Sequence, residues 1–69
     1  MSKQYEPREI TEEEANRVIL DGEPKGLFWQ MDGDIVVGID NTTGDAWTED
    51  FTTLEECLAW LNGGGRRGQ

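Results

Sequence analysis

Residues 26–51 read GLFWQMDGDIVVGIDNTTGDAWTEDF, and this stretch decides the fold. Gly26 to Met31 is rich in aromatic and apolar side chains and reads as a strand. Asp32-Gly33 is a tight-hairpin signal, because such turns need a positive φ that Gly adopts freely. Ile35 to Asp40 follows as a second strand, with β-branched residues at 35, 36, 37 and 39. Asn41-Thr42-Thr43-Gly44 has the chemistry of a four-residue hairpin loop, with Gly44 at a positive φ. Asp45 to Phe51 then alternates with a period of two. Trp47, Glu49 and Phe51 take one face and Ala46, Thr48 and Asp50 the other. Three strands joined by short turns predict an antiparallel meander.

Helical signals flank the meander on both sides. Thr11 followed by Glu14 fits a capping box, and Ile10 is placed to staple onto Ala15. Ala15, Val18 and Ile19 follow helical spacing, and Asp21-Gly22 and Pro24 stop the helix. After the meander, Thr53 and Glu56 mark a second helix start. Leu54, Cys57, Leu58 and Leu61 form its apolar stripe, with Trp60 at the stripe's edge. Gly63-Gly64-Gly65 ends it. The expected fold is therefore a single α+β domain of order α-β-β-β-α, its two helices packed on one face of the sheet. The side chains expected to face the helices are Ile35, Val37, Ile39, Trp47 and Phe51. Residues 1–9 read as a flexible lead-in, 10–62 as the domain and 63–69 as a flexible Gly/Arg tail.

A chain of 69 residues has room for one small core and little room for an enclosed pocket as well. Histidine is absent, which removes the usual general base near neutral pH. Cys57 is the only cysteine, so neither an internal disulfide nor a zinc cluster is expected, and no cofactor either. With no secretory leader or long apolar run, the expected location is the bacterial cytoplasm, without membrane attachment.

Charge is the strongest signal. The net formal charge is −9, and from Glu9 to Asn62 fourteen acids stand against only Arg17 and Lys25. Direct nucleic-acid binding is excluded, because binding to phosphates needs Lys and Arg. A basic partner is favoured by complementarity. High charge also suits disorder. Three Trp, two Phe and the Ile35-Val36-Val37 run argue instead for a packed domain.

The acids fall into four groups: Glu12 to Glu14; Asp32 and Asp34; Asp40, Asp45, Glu49 and Asp50; and Glu55 with Glu56. Helix capping accounts for the first and last groups and turn chemistry for the second. Neither explains Asp45, Glu49 and Asp50, because acids are poor strand formers. These three are the sharpest candidates for a carboxylate array spaced like phosphates. The full candidate surface is Asp32, Asp34, Asp40, Asp45, Glu49, Asp50, Glu55 and Glu56, with Trp60 as an aromatic anchor. Asp40 to Asp45 lacks EF-hand ligands at its third and fifth positions, so no metal site is expected. A carboxylate pair for glycoside hydrolysis would need a cleft that this chain lacks the mass to build. Trp29, Trp47 and Trp60 read as core and not as base-stacking residues, because no basic groove interleaves with them, with Trp60 the one expected to be partly exposed. Asn41-Thr42-Thr43 matches a glycosylation sequon only by chance, and Cys57 reads as a buried small hydrophobe.

The element order, the small acidic chain and the acidic meander resemble phage-encoded anti-CRISPR proteins of the DNA-mimic type. The runs that carry this likeness are Asp32 to Asp34, Gly38 to Trp47 and Leu54 to Leu58, within residues 10–62. They look most similar to a small inhibitor of the type I-C surveillance complex. The resemblance implies a stoichiometric, non-enzymatic inhibitor that binds Cascade and denies it target DNA. A different reading is a small acidic adaptor that docks by an apolar patch or a sheet edge. A monomer or weak dimer is expected.

Overall fold

A computed structural model describes residues 5–63. The elements are β1 (Arg8–Glu9), α1 (Glu12–Asp21), β2 (Gly26–Asp32), β3 (Ile35–Asn41), β4 (Trp47–Phe51) and α2 (Leu54–Asn62). The result is a small α+β domain with one four-stranded mixed sheet, ordered β1-β2-β3-β4. The antiparallel meander is present as β2-β3-β4. The expected three-stranded sheet gains a fourth strand from the supposed lead-in. β1 pairs parallel with β2 through Arg8 opposite Phe28 and Glu9 opposite Trp29, and the Ile10 N–H donates to the Trp29 carbonyl at 2.9 Å. Parallel neighbours need a crossover, and α1 supplies it. Two residues are too few to show a strand period, so β1 left no pattern to read.

The helices lie on opposite faces of the sheet, not on one. Cross-strand partners share a face and successive residues alternate. Phe28, Val37 and Ile39 therefore point one way, where they pack with Ile10, Ala15 and Val18 beneath α1. Leu27, Trp29, Val36 and Phe51 point the other way, where they pack with Leu54, Cys57, Leu58, Trp60 and Leu61 of α2. The five side chains expected to face the helices together are thus divided. Ile35, Val37 and Ile39 lie on the α1 face and Trp47 and Phe51 on the α2 face. Trp47 is not core either, with 47% of its surface exposed.

Local chemistry explains the element ends. The Thr11 hydroxyl accepts from the Glu14 N–H, and the Glu14 carboxylate accepts from the Thr11 N–H at 2.9 Å, which completes the capping box. Ile10 and Ala15 meet in the core as the staple requires. Thr53 caps α2 by accepting from the Glu56 N–H, but Glu56 turns its carboxylate to the Thr52 hydroxyl at 3.2 Å, so that box is half formed. Gly22 ends α1 at φ 73°. In the β2–β3 turn only Gly33 has a positive φ, of 65°, the pattern of a type II′ hairpin. A Cβ on Gly38 would lie 3.0 Å from the Cys57 sulfur and 3.1 Å from the Trp60 ring, so α2 settles onto β3 at this position. Residues 1–4 and 64–69, expected to be flexible, lie outside the described residues.

Candidate functional site

The topology sorts the acids by end of the sheet. β2 turns into β3 at Asp32 to Ile35, which puts Asp32 and Asp34 at one tip, both exposed. Phe51 pairs with Val36 near that tip, so α2 begins there and carries Glu55 and Glu56 with it, both exposed. β1 runs parallel to β2 toward the same tip, and α1 starts as β1 ends. A shallow depression of about 380 Å³ marks the junction, lined by Glu9, Ile10, Thr11, Glu12, Glu14, Gln30 and Met31. Both helices therefore start at the hairpin end, and Glu12, Glu13 and Glu14 lie at that end with Asp32, Asp34, Glu55 and Glu56. Their position was hidden in the sequence because a capping box fixes where a helix starts in the chain but not in space.

The opposite end of the sheet holds the 42–46 loop, and its chemistry differs. Asp40 is 3% exposed, and its Oδ1 accepts from the Thr42 N–H at 3.1 Å and from the Thr42 hydroxyl at 2.8 Å. Asn41 is fully buried. Its Nδ2 donates to the Pro24 carbonyl at 2.8 Å and its Oδ1 accepts from the Ala46 N–H at 3.1 Å. One side chain thus ties the chain before β2 to the loop before β4. Asp45 is exposed but accepts from the Thr43 hydroxyl at 3.0 Å. Asp40 is consequently a turn residue and not a presented carboxylate.

The expected array of Asp45, Glu49 and Asp50 does not form as a unit. β4 begins at Trp47, and Ala46, at φ 51°, separates Asp45 from the strand. Glu49 lies opposite Gly38 on the α2 face, and Asp50 lies opposite Val37 on the α1 face. Trp60, expected as a partly exposed anchor, is half-buried, with its ring 5.5 Å from that of Phe51 at 51°.

Arg8 and Arg17 line a second, smaller cavity of about 160 Å³ that shares Ile10 and Glu14 with the depression at the hairpin end and extends to Pro24 and Phe28, and the Arg8 guanidinium lies 5.3 Å over the Phe28 ring. The Lys25 chain packs beside Gly44 near the loop end. Cys57 is fully buried, and burial pushes its thiol up from 9.0 to about 11. At neutral pH it is a protonated core side chain without nucleophilic character. Among the described residues no three His, Cys, Asp or Glu side chains converge to hold a metal ion. No helix among them is long and apolar enough to cross a membrane. No known protein family matches this sequence, and no curated protein or solved structure is detectably similar to it.

Proposed function

We propose that this chain is a non-enzymatic inhibitor that presents carboxylates in place of DNA phosphates to a basic DNA-binding protein. The observation that carries this reading is the gathering of exposed acids at the hairpin end. Asp32 and Asp34 at the turn are flanked by Glu12, Glu13 and Glu14 on the α1 side and by Glu55 and Glu56 on the α2 side, all exposed, while Arg8 and Arg17 lie behind Glu14 and Lys25 lies near the loop end. Such a field steers a basic surface into contact and repels DNA. Glu14 and Glu56 are partly committed to hydrogen bonds. Glu12, Glu13, Asp32, Asp34 and Glu55 are therefore the principal phosphate substitutes. The likeness to type I-C inhibitors makes Cascade, in the bacterial cytoplasm, the first target to try.

The test is a pull-down from bacterial lysate with this chain as bait, at low and at high salt. Exposed charges are screened by salt. The mimic therefore captures a DNA-binding complex that elutes with salt and is displaced by duplex DNA. Capture that resists both salt and DNA would turn the reading toward an adaptor that docks by apolar contacts.

A further inference from the structure

We infer that β4 is a docking edge for an extended basic segment of the partner, which adds to the sheet as a fifth strand. Among the described residues the sheet order gives β4 a strand neighbour, β3, on one side only. Trp47, Thr48, Glu49 and Asp50 are all exposed along it. An outer strand of this kind carries main-chain donors and acceptors ready for another chain. The opposite margin of the sheet is different, because the two-residue β1 occupies it and pairs with β2.

The side chains of β4 say what kind of strand fits. Glu49 projects on the α2 face and the adjacent Asp50 on the α1 face. An added strand alternates in the same way, so two consecutive basic residues would meet one carboxylate on each face. Trp47 shares the α2 face with Glu49 and is 47% exposed. A second copy of this chain is the wrong occupant. Antiparallel pairing of two β4 strands would crowd both copies' Glu49 and Asp50 along one seam. Like charges facing each other across strands are destabilising. This inference does not depend on phosphate mimicry, since it rests on main-chain pairing as well as charge.

The test uses the full chain and an acetylated, amidated peptide, Thr-Val-Thr-Lys-Arg-Val-Thr-Val, followed by amide NMR. Shifts are expected at residues 47–51, with slowed hydrogen exchange there. Two further peptides carry N-methyl groups on one or the other alternate set of residues, which blocks one edge of the peptide strand in each case. One set should weaken binding at least tenfold and the other should leave it near the parent value. Glu49→Lys with Asp50→Lys should also weaken the parent peptide at least tenfold, and Asp32→Lys with Asp34→Lys should not. Equal binding by both N-methyl sets, shifts centred on Asp32, Asp34 and Glu55, or no binding of any peptide would overturn the inference. None of these outcomes bears on competition with DNA, so the mimic reading is judged separately.

Discussion

The two ends of the sheet use the same residue types for opposite purposes. At the loop end Asp40 and Asn41 are buried and every named polar atom is engaged, to Thr42, Pro24 and Ala46. At the hairpin end Asp32 and Asp34 are exposed and the turn needs only the positive φ of Gly33. The loop end joins segments far apart in sequence, so its polar groups are structural. The hairpin end closes a two-residue turn, so its carboxylates are available for other work. Acid count alone does not separate these roles. Burial and hydrogen bonding do.

This contrast can be broken at the loop end first. Asn41→Asp removes the donor to the Pro24 carbonyl and places a charge in a fully buried site beside Asp40. Losing a buried hydrogen bond and burying an unpaired charge should cost about 3 kcal/mol or more. Urea denaturation should show a large drop in midpoint, against a small drop for an exposed control such as Asp45→Asn. A smaller loss is expected for Gly22→Ala. Gly22 sits at φ 73°, and a Cβ there would lie 3.0 Å from the Gly44 carbonyl oxygen. The left-handed conformation alone costs a residue with a side chain about 1–2 kcal/mol, and thermal melting would register it.

At the hairpin end, Asp32→Asn with Asp34→Asn should leave stability within about 0.5 kcal/mol, as exposed substitutions usually do. A loss comparable to that of Asn41→Asp would show that these carboxylates hold the fold. The smallest effect at neutral pH belongs to Cys57, between the two ends. Its thiol ionises near 9.0 when unfolded and near 11 when folded. The unfolded state therefore binds fewer protons between these values, and stability falls as pH rises from 9 to 11. Below pH 9 this contribution is fully retained. Comparing urea midpoints of the parent and Cys57→Ala across that range isolates the effect, because Cys57→Ala should lack this part of the decline.

How far the fold can be read from the sequence depends on the length of each signal. β2, β3 and β4 and both helices carry enough residues to show their periods. The capping box at Thr11 and the turn glycines mark their ends. β1 was illegible because Arg8–Glu9 has no room for alternation. The two strands before β4 already argue against both helices on one face. A sheet with one open face should alternate apolar and polar residues, and neither β2 nor β3 does so. Gly26 to Trp29 and Ile35 to Ile39 are nearly unbroken apolar runs, which is the pattern of strands covered on both faces. Gly38, inside such a run, marked the close approach of α2.

The candidate surface was legible in part. Asp32, Asp34, Glu55 and Glu56 lie at the same end of the sheet, all exposed. The strand group of Asp45, Glu49 and Asp50 dissolves because Ala46 delays the start of β4 and the strand period separates its neighbours. Asn41 was missed because nothing in Asn-Thr-Thr-Gly distinguishes a loop residue from a clamp. That role depends on Pro24 and Ala46, which only the folded chain brings to it.

Target-DNA binding by purified type I-C Cascade, read by gel shift as this chain is added, tests the central claim most directly. Two variants should bracket the parent chain: Glu12→Gln, Glu13→Gln, Asp32→Asn, Asp34→Asn and Glu55→Gln together at the hairpin end, and Asp21→Asn, Glu23→Gln and Asp45→Asn together at the loop end. The account predicts that the parent and the loop-end variant block DNA binding while the folded hairpin-end variant does not. Undiminished inhibition by the hairpin-end variant, or DNA binding untouched by the parent chain, would contradict it.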